Sequence, residues 1–324
     1  MKTILLSEDT LMAAPCAATI GFFDGVHLGH RHLLKELCQM ASQRGLSAVA
    51  VTFARHPRQV VQTDWHPQLL TTLDEKTALL AETGIDQLVV LPFDESMAAL
   101  TAREFMRQVL YRQLGVRLLL TGYDNHFGHR TPQTAAEGFD DYVVYGREIG
   151  MEVRAGTPLT SHLSPLTSHL SPLTSPSFTV SSSVVRRLLQ EGRAEEAARC
   201  LGRPYMLAGM VAHGQQIGRQ MGYPTANLQP DDPQKLIPRE GVYAVQVETE
   251  GVDGRFSGVT NIGSRPTFQG AETTIETHLI DFHGDVYGRR LKLYFLRWLR
   301  QEQQFASPAL LARQIEEDIR QATL

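Results

Sequence analysis

Cysteine is scarce in this chain of 324 residues: there are three, Cys16, Cys38 and Cys200, far apart and without a CxxC pair. That number and spacing suggest neither a disulfide framework nor a zinc site, so a reducing cytoplasm is the expected location. Neither sign of charge prevails, with Lys+Arg 31 against Asp+Glu 35 and a net charge of -4. A near-neutral balance provides no broad field to hold polyanionic nucleic acid, though it leaves room for local basic pockets that take single phosphates. Long apolar runs are missing too, since none approaches the roughly 20 residues that span a bilayer. The first of them, Ile4-Leu5-Leu6, is cut short by Ser7-Glu8-Asp9 and does not read as a signal peptide. The Walker A pattern is absent, so any ATP-using site must be built differently from a P-loop.

What remains is an ordinary globular composition, 42% hydrophobic and 20% charged, in a chain about twice the usual length of one domain. Up to about residue 155, buried-strand runs alternate with helical patterns. Leu28 to Arg44 places Leu33, Leu34, Leu37, Met40 and Ala41 on one face, and Gly45 closes that helix. Ala48 to Phe53, Leu88 to Leu91 and Arg117 to Thr121 read as strands, with helices over Asp74 to Glu82 and Ala102 to Arg112. Strands apolar on both faces, alternating with helices, predict a parallel α/β sheet covered on both sides. From about Pro204 the texture changes to short strands, among them Tyr243 to Val247, Thr274 to Ile280 and Leu291 to Phe295, set between Gly, Pro and Asn turns. That spacing predicts an antiparallel barrel or sandwich. Ser307 to Thr323 closes the chain as a helix that Ser307 can cap, with Pro308 in its first turn.

Between the two textures, LTSHLSP at Leu159 to Pro165 recurs unchanged at Leu166 to Pro172, and Leu173-Thr174-Ser175 begins a third copy. A proline in each copy forbids a continuous coiled coil. His162 and His169 could be metal ligands, but Ser/Thr/Pro richness favours a surface loop without chemistry of its own, at 159–175.

The densest motif is Gly21-Phe22-Phe23-Asp24-Gly25-Val26-His27-Leu28-Gly29-His30, where a first buried strand meets a long helix. Its glycines let the backbone approach a ligand closely, and the helix start offers N–H groups to phosphate. His27 and His30, three apart, can face one site and donate hydrogen bonds to phosphate oxygens. On spacing alone they could equally be a metal pair or polar residues of a helix start.

This run resembles the HxGH signature of nucleotidylyltransferases, and in its full length that of the prokaryotic bifunctional riboflavin kinase/FMN adenylyltransferases, or FAD synthetases. Thr52-Phe53-Ala54-Arg55-His56-Pro57 is similar to that family's TFxPHP segment, with Arg55 in place of proline. Ser181-Ser182-Ser183-Val184-Val185-Arg186 resembles its SSTxxR element, whose hydroxyls and guanidinium hold ATP phosphates; the same serines also suit a helix N-cap. Gly122-Tyr123-Asp124-Asn125-His126-Phe127-Gly128 departs from GxDFxFG at Asn125, and its residue types also suit a turn.

The second half carries its own signature. Gly214 to Asn227, with Gly218, Arg219 and Pro224-Thr225-Ala226-Asn227, resembles the GxxxGRxxGxPTAN segment of riboflavin kinases. Loop glycines and Arg219 suit phosphates, and Thr225 and Asn227, two apart in an extended segment, would face one side and offer oxygen ligands to Mg²⁺. Without the family, that tetrapeptide reads as a turn. Pro238 to Tyr243, Asn261 to Thr267, Thr274 to Leu279, Asp281 to Gly288 and Leu296 to Phe305 match further family runs. Glu276 takes the position of the catalytic glutamate there, although by itself it could be a solvent-facing residue of an alternating strand. Trp298 and Phe305 would line a flavin pocket or simply fill the core.

The resemblance implies a Rossmann-like nucleotidylyltransferase domain at 1–202 and an antiparallel β-barrel riboflavin kinase domain with a C-terminal helix at 203–324. It further implies Glu276, His27 and His30 as catalytic groups, and ATP contacts from Gly21, Phe23, Asp24, Gly25, Ser182, Ser183, Arg186, Gly214, Gly218 and Arg219. Asp124, Asn125, His56, Arg300 and Glu302 would contact flavin, and Thr225 and Asn227 would hold Mg²⁺. ATP, riboflavin and FMN are the expected substrates and FAD the product, with no nucleic-acid or membrane partner, in a monomer or weak homo-oligomer. Two rival readings are a kinase whose adenylyltransferase half is inactive, which would make FMN but no FAD, and a flavin-binding protein without turnover.

Overall fold

The structure, a computed structural model, describes residues 1–7, 11–12, 14–62, 64–122, 127–129, 137–159, 180–212, 222–267 and 270–323, with the side chains of 61 and 265–272 left undescribed. It divides into two units, Met1–Pro67 with Thr71–Val180, and Gln68–Leu70 with Ser181–Leu324. The repeated heptapeptide, apart from Leu159, lies outside the described residues.

In the first unit six strands form one sheet, β1 (Lys2–Leu5), β2 (Cys16–Ile20), β3 (Ser47–Phe53), β4 (Gln87–Leu91), β5 (Val116–Thr121) and β6 (Glu152–Ala155). Their order is β1-β4-β3-β2-β5-β6, and every pairing is parallel. β2 is buried along its whole length. Its side chains alternate between two cores: Cys16, Ala18 and Ile20 pack with Phe105, Met106 and Tyr142, whereas Ala17 packs with Leu33, Leu34, Leu37 and Leu80. Those partners lie on helices, so both faces of the sheet are covered as the apolar strand runs predict. The chain leaves β2 for β3 and β4 on one side and returns to β5 and β6 on the other, which makes the carboxyl end of β2 the topological switch point where such sheets bind ligands.

α1 (Leu28–Gln43) follows that switch point, and Arg44 and the left-handed Gly45, at φ 64, end it. Pro57–Val61 is α2, with His56 as its N-cap. α3 (Leu73–Ala81) starts at a capping box of Thr72 and Glu75. The helix expected over Ala102 to Arg112 differs in winding: one α-turn, Ala102–Phe105, passes into a π-helical stretch, Met106–Gln113. The wider turn keeps Met106, Val109 and Leu110 in the core.

The second unit begins with two helices, Ser182–Gln190 (α4) and Ala194–Leu201 (α5). A closed barrel follows, made of Tyr205–Ala212 (β7), Ala226–Pro230 (β8), Gly241–Thr249 (β9), Val252–Thr267 (β10), Gly270–Leu279 (β11) and Arg290–Arg300 (β12). The barrel order is β10-β11-β8-β7-β12-β9, antiparallel at each described pairing. The last helix, α6 (Pro308–Thr323), is capped by the Ser307 hydroxyl, which accepts from the Leu310 N–H at 3.4 Å.

Candidate functional site

Two sites emerge, one in each unit. In the first, the chain beyond β2 makes a turn in which Phe23, Gly25 and Val26 all have positive φ, at 51, 80 and 40°. For Phe and Val this is strained backbone, and something must hold it. Asp24 supplies part of the hold: its Oδ1 accepts from the Thr71 N–H at 3.0 Å and the Thr71 hydroxyl at 3.2 Å, while the Gly25 N–H donates to Thr71 Oγ1 at 3.0 Å. The Asp24 carboxylate is 3% exposed, so its role in the structure is to clamp the turn from within. Phe23 is buried against the same turn and meets His30 edge-on, with centroids 5.3 Å apart.

The turn delivers His27 as the N-cap of α1, its Nδ1 accepting from the His30 N–H at 3.3 Å. The two imidazoles stack, with centroids 3.6 Å apart and planes at 19°. Gly29 makes the stack possible, because a Cβ there would stand 3.1 Å from the His27 ring and 3.3 Å from the Val180 carbonyl. His27 Nδ1 is an acceptor, so its neutral ring carries the proton on Nε2. Burial first, then the neighbouring His27 and Lys76, hold the His30 pKa well below the ordinary histidine value. Among the described residues, the buried His30 Nδ1 has no hydrogen-bond partner. An unpaired lone pair there costs less than an unpaired N–H, which again assigns the proton to Nε2. The stack is therefore a pair of neutral N–H donors at the mouth of a helix, suited to the oxygens of a phosphate.

Lys76 on α3 is a residue the sequence did not single out. It is 2% exposed, donates to the Phe22 carbonyl at 2.9 Å and the Phe53 carbonyl at 3.5 Å, and lies 3.9 Å from the Phe22 ring centroid. A lysine in an amphipathic helical pattern reads as a solvated face, so no signal marked it. His56 caps α2, accepting from the Arg58 N–H at 3.1 Å, and its ring touches Phe22 and Trp65 at 4.6 Å each. Asp124 and Asn125 lie outside the described residues.

Ser182, Ser183 and Arg186 stand on the first turns of α4 in the second unit. Ser181 caps that helix, and Arg186 Nε donates to the Gln68 carbonyl at 2.8 Å. Gly214, Gly218 and Arg219 lie outside the described residues.

The barrel builds the second site from a cross-strand row. Asn261 on β10 pairs with Glu276 on β11, which pairs with Asn227 on β8. Directly opposite residues share a face, so the three side chains project together. Thr225 joins them, its hydroxyl donating to Glu276 Oε2 at 3.4 Å. Glu276, Thr225, Asn261, Arg300, Glu302 and Phe305 are among the lining of a cavity of about 680 Å³, within the usual range for small-molecule pockets. Asn261 Nδ2 donates to Glu302 Oε1 at 2.9 Å, which seats the segment after β12 against β10. Arg300 is already engaged: its guanidinium makes bonds of 2.7–3.1 Å with the buried Asp318 of α6. Trp298 packs on Gly192 and Gly241 and stays out of that lining. A hydroxyl, a carboxamide and a carboxylate gathered on one wall form an all-oxygen donor set, which fits a hard divalent cation such as Mg²⁺.

Comparison with known proteins meets this geometry at both ends. The FAD synthetase family model matches residues 10–169 and the riboflavin kinase model matches 201–324. The bifunctional riboflavin kinase/FMN adenylyltransferase of Escherichia coli K12 is 37% identical over 303 residues, covering 94% of this chain and 90% of that protein. Its namesake in Bacillus subtilis is 33% identical over 333 residues, covering 99% and 97%. A crystal structure described as a macrolide-efflux protein from Streptococcus pneumoniae matches with TM-score 0.85 at 28% identity, over 99% of this chain and 98% of that one. Among the described residues of the present chain, no helix is long and apolar enough to cross a membrane.

Proposed function

The chain belongs to the bifunctional riboflavin kinase/FMN adenylyltransferase family, and from that premise we propose which of its side chains carry the two reactions, ATP-dependent phosphorylation of riboflavin to FMN and adenylylation of FMN to FAD. The division of labour follows the motifs, with 1–202 for adenylyl transfer and 203–324 for phosphorylation.

In the barrel, Glu276 accepts the proton of the riboflavin 5′-hydroxyl as that oxygen bonds to the γ-phosphorus of ATP and the bond to the β,γ-bridging oxygen breaks, releasing ADP. Thr225 and Asn227 would hold Mg²⁺, whose positive charge offsets that of the triphosphate. Gly214, Gly218 and Arg219 are assigned to ATP phosphates from the motif, and Glu302 and Arg300 to the flavin end of the cavity. In the α/β site the phosphate of FMN attacks the α-phosphorus of a second ATP and pyrophosphate leaves. The nucleophile is already an anion, so no base is needed. The Nε2–H groups of His27 and His30 donate to the oxygens on which charge accumulates. Gly21, Phe23 and Gly25 shape the backbone around them, and Asp24 serves through its clamp on Thr71. Ser182, Ser183 and Arg186 are assigned to the leaving phosphates, and His56, Asp124 and Asn125 to the flavin. Three unpaired cysteines and substrates that are cellular metabolites favour a cytoplasmic enzyme, which we take to be monomeric or weakly self-associating.

The observation that carries this reading is that a carboxylate with oxygen ligands beside it lines a cavity of ligand size, in a chain that separately stacks two neutral imidazoles at a helix start. The deciding experiment separates products by chromatography after incubation with MgATP. Glu276→Ala is expected to make no FMN from riboflavin yet still make FAD from supplied FMN. His30→Ala is expected to do the reverse, with FMN accumulating. Loss of both activities in either variant contradicts the assignment.

A further inference from the structure

The α/β site contains a buried cation that the reaction as described does not use. We propose that Lys76 is a positioning residue for adenylyl transfer: its ammonium fixes the strained turn that presents His27 and His30 by tying the Phe22 carbonyl, just beyond β2, to the Phe53 carbonyl at the end of the adjacent β3. This inference rests on the placement of adenylyl transfer at that histidine pair.

The geometry is direct. Phe53 ends β3 and Phe22 lies two residues beyond β2, its parallel partner, and both carbonyls accept from the one Lys76 Nζ. Held there, Phe22 O fixes the peptide that enters Phe23, the first residue of the positive-φ run, whose ring abuts His30. A charge-assisted bond to a carbonyl is about twice as strong as a neutral one, and it acts where the backbone has most reason to relax. The Thr52 hydroxyl reinforces the same point, donating to Phe22 O at 3.2 Å.

Among the described residues, the titratable groups around the ammonium are few. The turn contributes Asp24, and α1 contributes His30 with His27 stacked on it. β3 offers its Phe53 carbonyl and the neutral Thr52; on α3 itself Asp74 and Glu75 are neighbours, Glu75 being engaged by the cap. Burial lowers the Lys76 pKa from 10.5 to about 8, with Asp24 opposing the shift. The cation in turn disfavours protonation of His30, which keeps that ring a neutral donor.

The test uses the full chain, on which phosphorylation of riboflavin serves as the internal control with the same MgATP. Initial rates of both reactions are followed from about pH 6 to about pH 9.5. In the wild type, kcat for adenylylation is expected to fall as pH rises through about 8, and phosphorylation to show no such limb. Lys76→Met is expected to lower adenylylation kcat about tenfold with KM for ATP nearly unchanged, to abolish the alkaline limb, and to raise the His30 midpoint in histidine-selective NMR titrations. Lys76→Arg, whose charge does not titrate in this range, is expected to recover part of the rate, to lack the limb and to leave the His30 midpoint low. A flat wild-type profile overturns the proposal, as does a Lys76→Met enzyme with wild-type kcat or an unmoved His30 midpoint. If Lys76→Met does not fold, the wild-type and Lys76→Arg profiles decide. His30→Ala is run beside them. Surviving adenylylation there sinks the site itself, whereas its loss alongside full activity in Lys76→Met sinks only the role of Lys76.

Discussion

Asp24 shows how a motif residue can matter through the backbone it holds. Its carboxylate is spent on Thr71 and faces the buried Lys76, so the motif's acid stabilises the turn that carries the histidines. Asp24→Asn keeps an acceptor for Thr71 but removes the charge that opposes desolvation of Lys76. The expected result is a loss of about 1–3 kcal/mol in stability of the α/β unit, read by urea unfolding. The alkaline limb of adenylylation should also move below pH 8, since Lys76 would lose its proton more easily. Lys76 sets a pH signature for the fold as well. Its native pKa of about 8 lies below its unfolded value of 10.5, so between those pH values the unfolded chain binds more protons and the contribution of this group to stability rises with pH. The full gain is on the order of 3 kcal/mol. Cys16, whose thiol burial pushes up to about 12, acts in the opposite direction above pH 9. The difference between wild type and Lys76→Met therefore isolates the lysine, and it should widen in favour of the wild type from pH 8 upward. Urea unfolding of the wild type over the same pH range separates the expected alkaline loss of adenylylation from unfolding, because the buried thiols Cys16 and Cys200 lower stability there while Lys76 raises it.

At the scale of elements, what the sequence made legible was the part set by periodicity. The apolar runs at Ala48 to Phe53 and Leu88 to Leu91 are strands β3 and β4, and the stripe from Leu33 to Ala41 is the buried face of α1. The cross-strand row Asn261–Glu276–Asn227 was not legible, because register between strands depends on barrel closure and not on spacing along the chain. Nor was the clamp on the turn after β2, whose two anchors, Thr71 and Lys76, come from a distant stretch of chain. The terminal helix α6 did carry a signal that was passed over: Asp318 shares the face of Leu311, Ile315 and Ile319, where an acid is out of place unless paired. In the fold that acid is 2% exposed, bonds Arg300 and accepts from Gln314 at 3.0 Å, locking the helix that walls the cavity. Removing one partner of a buried pair leaves the other uncompensated. Asp318→Ala is expected to cost the barrel unit about 3–5 kcal/mol and to raise KM for riboflavin more than KM for ATP. An unchanged melting transition with an unchanged riboflavin KM would show the pair to be dispensable.

For the molecule as a whole, the product of one site is the substrate of the other, and this permits a test that no single-site variant offers. Glu276→Ala retains the histidine pair and Thr71 clamp of the α/β unit, and His30→Ala retains the Thr225–Glu276 wall of the barrel cavity. Neither variant alone can carry riboflavin to FAD, because each lacks one of the two phosphorus transfers. FMN is a small, strongly hydrated dianion, and release into solvent is the route that its charge favours over retention in a cavity lined by the carboxylates of Glu276 and Glu302. An equimolar mixture of the two variants is therefore expected to convert riboflavin to FAD. It should show a lag while free FMN accumulates, and the lag should shorten as the concentration of the Glu276→Ala chain is raised. Wild type at the same total concentration should show the same free FMN pool during the reaction, detectable by trapping with an FMN-binding apoprotein. FAD formation by wild type that the trap leaves untouched, together with a mixture that makes none, would mean that FMN stays with the chain that made it.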